Sequence, residues 1–229
     1  MARHRLLTFL GSDRSSLLTS LVSYYPLSST ADAAASNTLT NTNAVTFAGG
    51  QIGNAAVFDR ALSQKLTATL TGLSANTAGS FDFWWKRNGN TSGGAEGIVE
   101  IGDPAVNSFI VWTGSNNAQN KIGVYQFVGS ALQAPAIIAD SLALTDATWY
   151  HFALTWASGA NNLKLYRDGV VVGTGTMSAV TLGTGLAIGF GAVLSQYVKG
   201  SVDEVGVWNK ALSAAEVARR AAGGFYPNF

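Results

Sequence analysis

Apolar and polar positions alternate with a period of two over much of this chain, the signature of half-buried β-strands. From Phe81 to Trp85, the residues Phe81, Phe83 and Trp85 fall on one face and Asp82 and Trp84 on the other. The segment Trp149 to Trp156 is the clearest case, with Tyr150, Phe152, Leu154 and Trp156 opposite Trp149, His151, Ala153 and Thr155. Shorter strands are predicted over Ile98 to Ile101, Phe109 to Trp112, Ile122 to Val128, Leu186 to Phe190 and Ser201 to Trp208. Segments 88–94 and 113–120, rich in Asn, Gly, Ser and Thr, read as loops between them. Leu163 to Arg167 and Val170 to Val172 flank Asp168 and Gly169. That pair tolerates positive φ at both turn positions and predicts a two-residue hairpin. Strand candidates recurring roughly every 8–14 residues, with no long helical pattern between them, argue for an antiparallel sandwich.

One helix is specified, over roughly 214–222. Ser213 is an N-cap and Glu216 completes a capping box, while Leu212 and Val217 form a hydrophobic staple. Arg219 and Arg220 lie at the end where the helix dipole favours cations, and Gly223 and Gly224 stop the helix.

Composition narrows the classes. Apolar residues make up 47% of the 229, enough for a sizeable core in one domain. Charged residues are only 12%, and 14 Lys+Arg against 13 Asp+Glu leave a net charge of +1. That balance gives no bulk attraction to nucleic acid or to an anionic membrane. Cysteine is absent, which excludes disulfides, thiolate metal sites and a cysteine nucleophile. No apolar run approaches the roughly 18 residues that a membrane helix needs. The apolar run Leu6 to Leu10 is interrupted by Asp13 and Arg14 and is too short for a signal-peptide core. Synthesis in the cytoplasm without an export signal is expected.

Several segments in order resemble the laminin-G-like, concanavalin A-like jelly-roll family. They are Leu21 to Leu27, Gly50 to Asp59, Phe81 to Lys86, Thr148 to Thr155, Leu165 to Gly169, and Gly200 to Trp208 running into Lys210 to Glu216. The resemblance implies an all-β, two-sheet antiparallel jelly-roll sandwich over 21–229 with one short C-terminal surface helix. Residues 1–20 lie outside it and read as an arm. The family spans glycan binders, adhesion modules, calcium-binding domains and virion proteins, so fold alone selects no function.

Candidate chemistry is sparse. A glycosidase needs two carboxylates flanking the scissile bond. The one dense acidic stretch is Glu96, Glu100 and Asp103. Glu100 and Asp103, three apart on a strand, are expected on opposite faces and the stretch reads as a solvated rim. His151 reads as a structural, hydrogen-bonded residue. No catalytic residue is therefore assigned and an enzyme is not expected. The resemblance implies that relatives hold Ca²⁺ at one end of the sandwich. Asp203 in the closing strand and Asp32 in the 28–37 loop are the corresponding candidates; no other cofactor is expected. For glycan binding, the candidates are Trp112 and Tyr197 as ring platforms, with Asn116 and Asn117 in the loop after Trp112.

The arm carries Arg3, Arg5 and Arg14 among Leu6, Leu7, Phe9 and Leu10, a basic and apolar mixture suited to docking on another protein. Together these readings point to a non-enzymatic display or assembly protein. Its expected place is a bacteriophage virion, as a capsid decoration or tail-associated component, docking through the arm and sheet edges to other virion or surface proteins. The alternative is a carbohydrate-binding adhesin module for cell-surface glycans. Exposed sheet edges and few charges further predict a homo-oligomer or lattice contact.

Overall fold

The computed structural model describes residues 16–18, 20–74, 77–89, 94–103, 105–114, 121–133, 138–140, 143–159, 161–177, 181–192 and 194–223. Strands are numbered in chain order. The first sheet has the order β14 (Val170–Gly175), β13 (Leu163–Arg167), β12 (Trp149–Ala157), β6 (Ala78–Arg87), β18 (Gly200–Trp208), β4 (Asn54–Phe58), β3 (Thr46–Gly49), and β1 (Leu21–Tyr25) also pairs with β18. The second has the order β10 (Ala131–Leu132), β9 (Ile122–Val128), β8 (Asn107–Thr113), β7 (Glu96–Asp103), β15 (Gly185–Ile188), β5 (Lys65–Thr69), β2 (Thr40–Thr42), with β11 (Ile138–Ala139) on β9. A small ribbon, β16 (Phe190–Gly191) with β17 (Gln196–Tyr197), completes the strands, and helix α1 spans Ala214–Ala221. Every pairing is antiparallel, as a jelly-roll requires.

The core follows from the alternation. Phe81, Phe83 and Trp85 of β6 and Phe152, Leu154 and Trp156 of β12 point between the sheets and are fully buried. They meet Phe109, Val111, Val124 and Ile188 from the facing sheet. The Phe109 and Trp156 rings, 5.0 Å apart, join the two layers. Asp168 and Gly169 both take positive φ, 51° and 84°, so the β13–β14 turn is the predicted one. The Ser213–Glu216 capping box forms, and Leu212 and Val217 are buried together. One strand expectation is corrected: Leu186 to Phe190 does not run straight. Gly189, at φ 82°, breaks it because a Cβ there would lie 2.4 Å from the Phe58 ring.

The outer face of the first sheet is covered, which alternation alone does not show. Asp82 and His151 point outward yet are completely buried. Helix α1 lies over them, and Arg220, expected at a surface helix end, turns inward. Its Nε donates to Asp82 Oδ2 at 2.8 Å and its Nη2 to Asp82 Oδ1 at 3.0 Å. Arg220 Nη2 also donates to the Glu204 carbonyl at 3.0 Å, and the guanidinium sits 5.5 Å from both the Tyr24 and Trp208 rings. His151 Nε2 lies 3.2 Å from Asp82 Oδ2, and the Tyr24 hydroxyl hydrogen-bonds the Glu204 carboxylate. Burial alone would raise the Asp82 carboxyl, but Arg220 and His151 outweigh it and hold it below its ordinary value. Glu204 stands at a bulge in β18, with φ 56°. Burial, only partly offset by Arg220, pushes its carboxyl up to about 7.

The same face recruits residues that the sequence assigns to an arm. Leu17 is fully buried against Trp208, Tyr166 and Val217, and Trp208 Nε1 donates to the Leu17 carbonyl at 3.0 Å. The domain therefore begins before residue 20. The candidate docking residues Arg3, Arg5, Leu6, Leu7, Phe9, Leu10 and Arg14 lie outside the described residues.

Removing Arg220 strands a buried carboxylate, so Arg220→Met is expected to cost about 3–5 kcal/mol. That is a fall in melting temperature of roughly 6–20 °C for a domain of this size. Adding Asp82→Asn should recover part of the loss.

The pH dependence has two signs. Asp82 has a lowered folded pKa, so its contribution stands above 3.8 and disappears as pH falls below it. Asp203 and Glu204 are raised to about 7 from 3.8 and 4.5, so their contribution is complete below those values and is lost as pH rises through 7. Melts from acid to pH 9 should show Glu204→Gln flattening the upper limb; an unchanged limb would refute this origin.

Leu17→Ala should destabilise the domain by about 2–5 kcal/mol, measured by denaturant titration, whereas a disposable arm residue would cost almost nothing.

Candidate functional site

The second sheet leaves its outer face partly open, and β7 runs through its middle. On one row across this face lie Thr67 of β5, Ala187 of β15, Glu100 of β7, Ile110 of β8 and Tyr125 of β9. On the next row Gly185 is opposite Thr69, and Gly102 is opposite Ser108. The small residues Ala187, Gly185 and Gly102 leave a depression between the threonines and Glu100. The β16–β17 ribbon folds over β7 and walls one side. Its approach is backbone to backbone, since a Cβ on Gly97 would lie 2.4 Å from Gly191 Cα. The result is an open cavity of about 360 Å³ whose lining includes Thr67, Thr69, Glu100, Asp103, Thr184 and Ala192.

Glu100 is the central group, only 2% exposed. Its Oε2 accepts from the Ala192 amide at 2.6 Å, while Oε1 has no hydrogen-bond partner among the described residues. Burial raises its carboxyl above the ordinary value. The Ala192 amide pulls the other way, as does Ser108, whose hydroxyl lies near without a hydrogen bond of normal geometry; the Asp103 charge adds to the rise. Ser108 Oγ and Trp112 Nε1, flanking Ile110 on the same face, are also buried and unpartnered among the described residues. Beyond them Ile110, Trp112 and Phe127 form an apolar cluster with Tyr125 and Leu194.

Three sequence expectations are corrected here. The acidic stretch is not a solvated rim: Glu96 is 1% exposed and bonded to Arg60 at 2.5 Å, and Glu100 is buried. Nor are Glu100 and Asp103 separated by the sheet, since both line the cavity. Gly102 between them, at φ 108°, turns the backbone at the strand end and brings Asp103 to the rim. Trp112 is not an exposed platform: it is 3% exposed, stacks on Tyr125 at 5.0 Å and lies over Gly123. Tyr197 is half-buried on Phe190, with ring centroids 4.5 Å apart and Lys65 Nζ 4.7 Å above the Phe190 ring. Asn116 and Asn117 lie outside the described residues. Thr67, Thr69 and Glu100 were missed as site residues. The glycines at 97, 102, 185 and 191 were the available signal of close backbone approach.

The calcium candidates serve other purposes. Asp32 accepts from the amides of Tyr24 and Ala34 through Oδ1, both at 3.0 Å, and of Asn37 through Oδ2 at 3.2 Å. Asp203 Oδ2 accepts from the Ile52 amide at 2.9 Å, beneath Gly50, where a Cβ would lie 2.4 Å from it. Burial pushes the Asp203 carboxyl up to about 7. Each carboxylate staples a different loop, and no cluster of three or more metal-ligating acids or histidines occurs among the described residues.

Comparison with known proteins fits this fold. The profile of the laminin G 3 family, described as the concanavalin A-like lectin/glucanases superfamily, matches residues 64–218. The chain belongs to that superfamily. A search of curated proteins gives no significant match. Among solved structures, domain 4 of AbnA, an extracellular arabinanase of Geobacillus stearothermophilus in complex with arabinotriose, superposes with a TM-score of 0.70 at 20% identity, over 88% of this chain and 98% of that one. The binding domain of botulinum neurotoxin serotype C1 gives 0.70 at 11% identity, over 93% of this chain and 54% of that one. The binding domain of botulinum neurotoxin DC, solved with rat synaptotagmin II, gives 0.69 at 11% identity, over 93% and 53%. The chain thus spans about half of each neurotoxin binding domain and nearly all of the arabinanase domain.

A ligand that binds only the folded state raises its melting temperature, by about 2.7 kcal/mol of stability at 100-fold over Kd. With Asp32 on three backbone amides, Asp203 Oδ2 on the Ile52 amide, and the two holding different loops, EDTA is expected to leave the melting temperature unchanged. A drop restored by Ca²⁺ and abolished in Asp203→Ala would overturn this assignment.

Proposed function

We propose that this domain is a non-enzymatic carbohydrate-binding module that seats a short glycan, or the end of a longer one, on the outer face of β5, β15 and β7. One observation carries the reading: Glu100, which lines an open cavity of about 360 Å³, has a buried Oε1 without a hydrogen-bond partner among the described residues. A buried polar atom without a partner costs about 1–3 kcal/mol, which a ligand rich in hydroxyl groups recovers by donating to it. The volume falls at the small end of ligand pockets, matching a sugar terminus better than a long bound chain. Ser108 and Trp112 add further buried polar atoms on the same face without a partner among the described residues.

A non-hydrolytic role is supported by the second carboxylate. Hydrolysis needs one acid and one base or nucleophile on either side of the bond. Here Glu100 keeps one oxygen free, but Asp103, the other carboxylate of the described lining, has its Oδ1 held by the Ala105 amide in its own turn. The arabinotriose complex of the arabinanase domain supports sugar as the ligand class. Placement on a phage particle rests on the basic, leucine-rich segment 3–14, which lies outside the described residues; glycan binding is the reading with geometry behind it. Cell-surface glycans are the natural partner.

The test is titration calorimetry and saturation-transfer NMR with arabinotriose and a broad panel of neutral oligosaccharides. Thr67→Val should weaken binding about tenfold, the value of one hydrogen bond of about 1.4 kcal/mol. Ala187→Trp should fill the depression and abolish binding with the fold intact. A well-folded protein that binds no glycan, or a ligand unaffected by Ala187→Trp, would overturn the proposal.

A further inference from the structure

The lining of the cavity has one sign of charge. Among the described residues that line it, Glu100 and Asp103 are the only ionisable groups, and none is cationic. Lys65, on the same face of β5 as Thr67, holds its ammonium 4.7 Å over the Phe190 ring. Arg60 is bonded to Glu96 at 2.5 Å. Neither is directed to Glu100, whose one oxygen is held by Ala192 while the other has no partner among the described residues.

We infer that the cavity reads the charge of its ligand through Glu100: it accepts neutral sugars, holds an amino sugar more tightly, and rejects a uronic or other carboxylated sugar. This rests on the glycan-binding reading and adds the class of glycan. A ligand hydroxyl or ammonium donates to Oε1 and supplies the missing partner, and an ammonium adds charge attraction in a site shielded from water. A ligand carboxylate offers only acceptors, facing an acceptor that is already buried beside a second acid. It leaves Oε1 unpaired and adds like-charge repulsion, so discrimination arises from a repulsive element as much as from an attractive one. Two features favour Glu100 over Asp103 as the selector. Glu100 is buried, so its charge is weakly screened, whereas Asp103 is exposed at the rim. Asp103 also has one oxygen tied to the Ala105 amide.

The probes are the methyl glycosides of glucose, glucuronic acid and glucosamine, and the matching galactose series, titrated against the whole chain at pH 7 by NMR. In the series that binds, the expected order is amino, then neutral, then uronic, with about tenfold or more between the extremes. Glu100→Gln keeps the shape and a hydrogen-bonding amide but removes the charge, and should bring the three members within about threefold. Asp103→Asn, on the surface, should shift the ratio the same way by a smaller factor, and it answers the question if Glu100→Gln fails to fold. Equal binding of the three sugars, or a charge preference unchanged by both variants, would overturn charge selection and leave the glycan site standing. Failure of all six probes would overturn this inference, and failure of the oligosaccharide panel as well would overturn the glycan reading with it.

Discussion

The two-pronged contact between Arg220 and Asp82 is the constraint on which the first sheet depends. Asp82 lies mid-strand in β6, and both neighbours of that strand, β12 and β18, must pack around an ionised group that water never reaches. A carboxylate there is tolerable only with a counter-charge and full hydrogen bonding. Helix α1 delivers both, and its capping box and buried Val217 fix the orientation from which Arg220 reaches down. The bulge in β18 follows from the same need. It turns the Glu204 carbonyl to accept from Arg220 and carries the Glu204 side chain to Tyr24 of β1. The helix, the bulge and the opening strand are thus organised around one guanidinium.

That arrangement explains why the two outer faces differ. The first sheet closes over its outward Asp82–Arg220 pair with α1 and Leu17, and His151 Nδ1 and Asp203 Oδ1 stay buried there without a partner among the described residues. The second carries buried polar atoms on its outer face that the described residues leave unpartnered, at Glu100, Ser108 and Trp112, beside an open cavity. A sandwich whose one face is sealed and whose other is polar and recessed has a direction. The sealed face supplies rigidity, and the recessed face holds the geometry for recognition. Preorganisation of this kind lowers the ordering cost of binding.

The β16–β17 ribbon makes the recess. It lies across β7 through contact between Gly97 and Gly191, and it places the Ala192 amide on Glu100. Without it Glu100 would be an exposed acid on a sheet surface, of little consequence for stability or binding. With it, one oxygen is fixed by the Ala192 amide, and the other is buried without a partner among the described residues in a side chain that lines the cavity. The stack of Phe190 on Tyr197, with Lys65 above, holds the ribbon's base.

Local chemistry was readable without coordinates. Alternation from Phe81 to Trp85 and from Trp149 to Trp156 named the inward residues. The turn at Asp168 and Gly169 and the cap at Ser213 and Glu216 were likewise legible, because each depends on φ preference or side-chain reach within a few residues. What alternation cannot report is what covers a strand's second face. It placed Asp82 and His151 opposite the inward aromatics but could not tell that α1 buries them, nor that a ribbon buries Glu100. It read Leu17 as part of an arm and Trp112 as a platform for the same reason. Burial, ionisation and unmet hydrogen bonds are properties of a pair of surfaces, often distant in sequence: 138 residues separate Asp82 from Arg220, and 92 separate Glu100 from Ala192. The sequence by itself determined the strands, their inward faces and the cap. Only the tertiary structure decided which outward residues lose water, because that depends on which distant segment comes to lie over them.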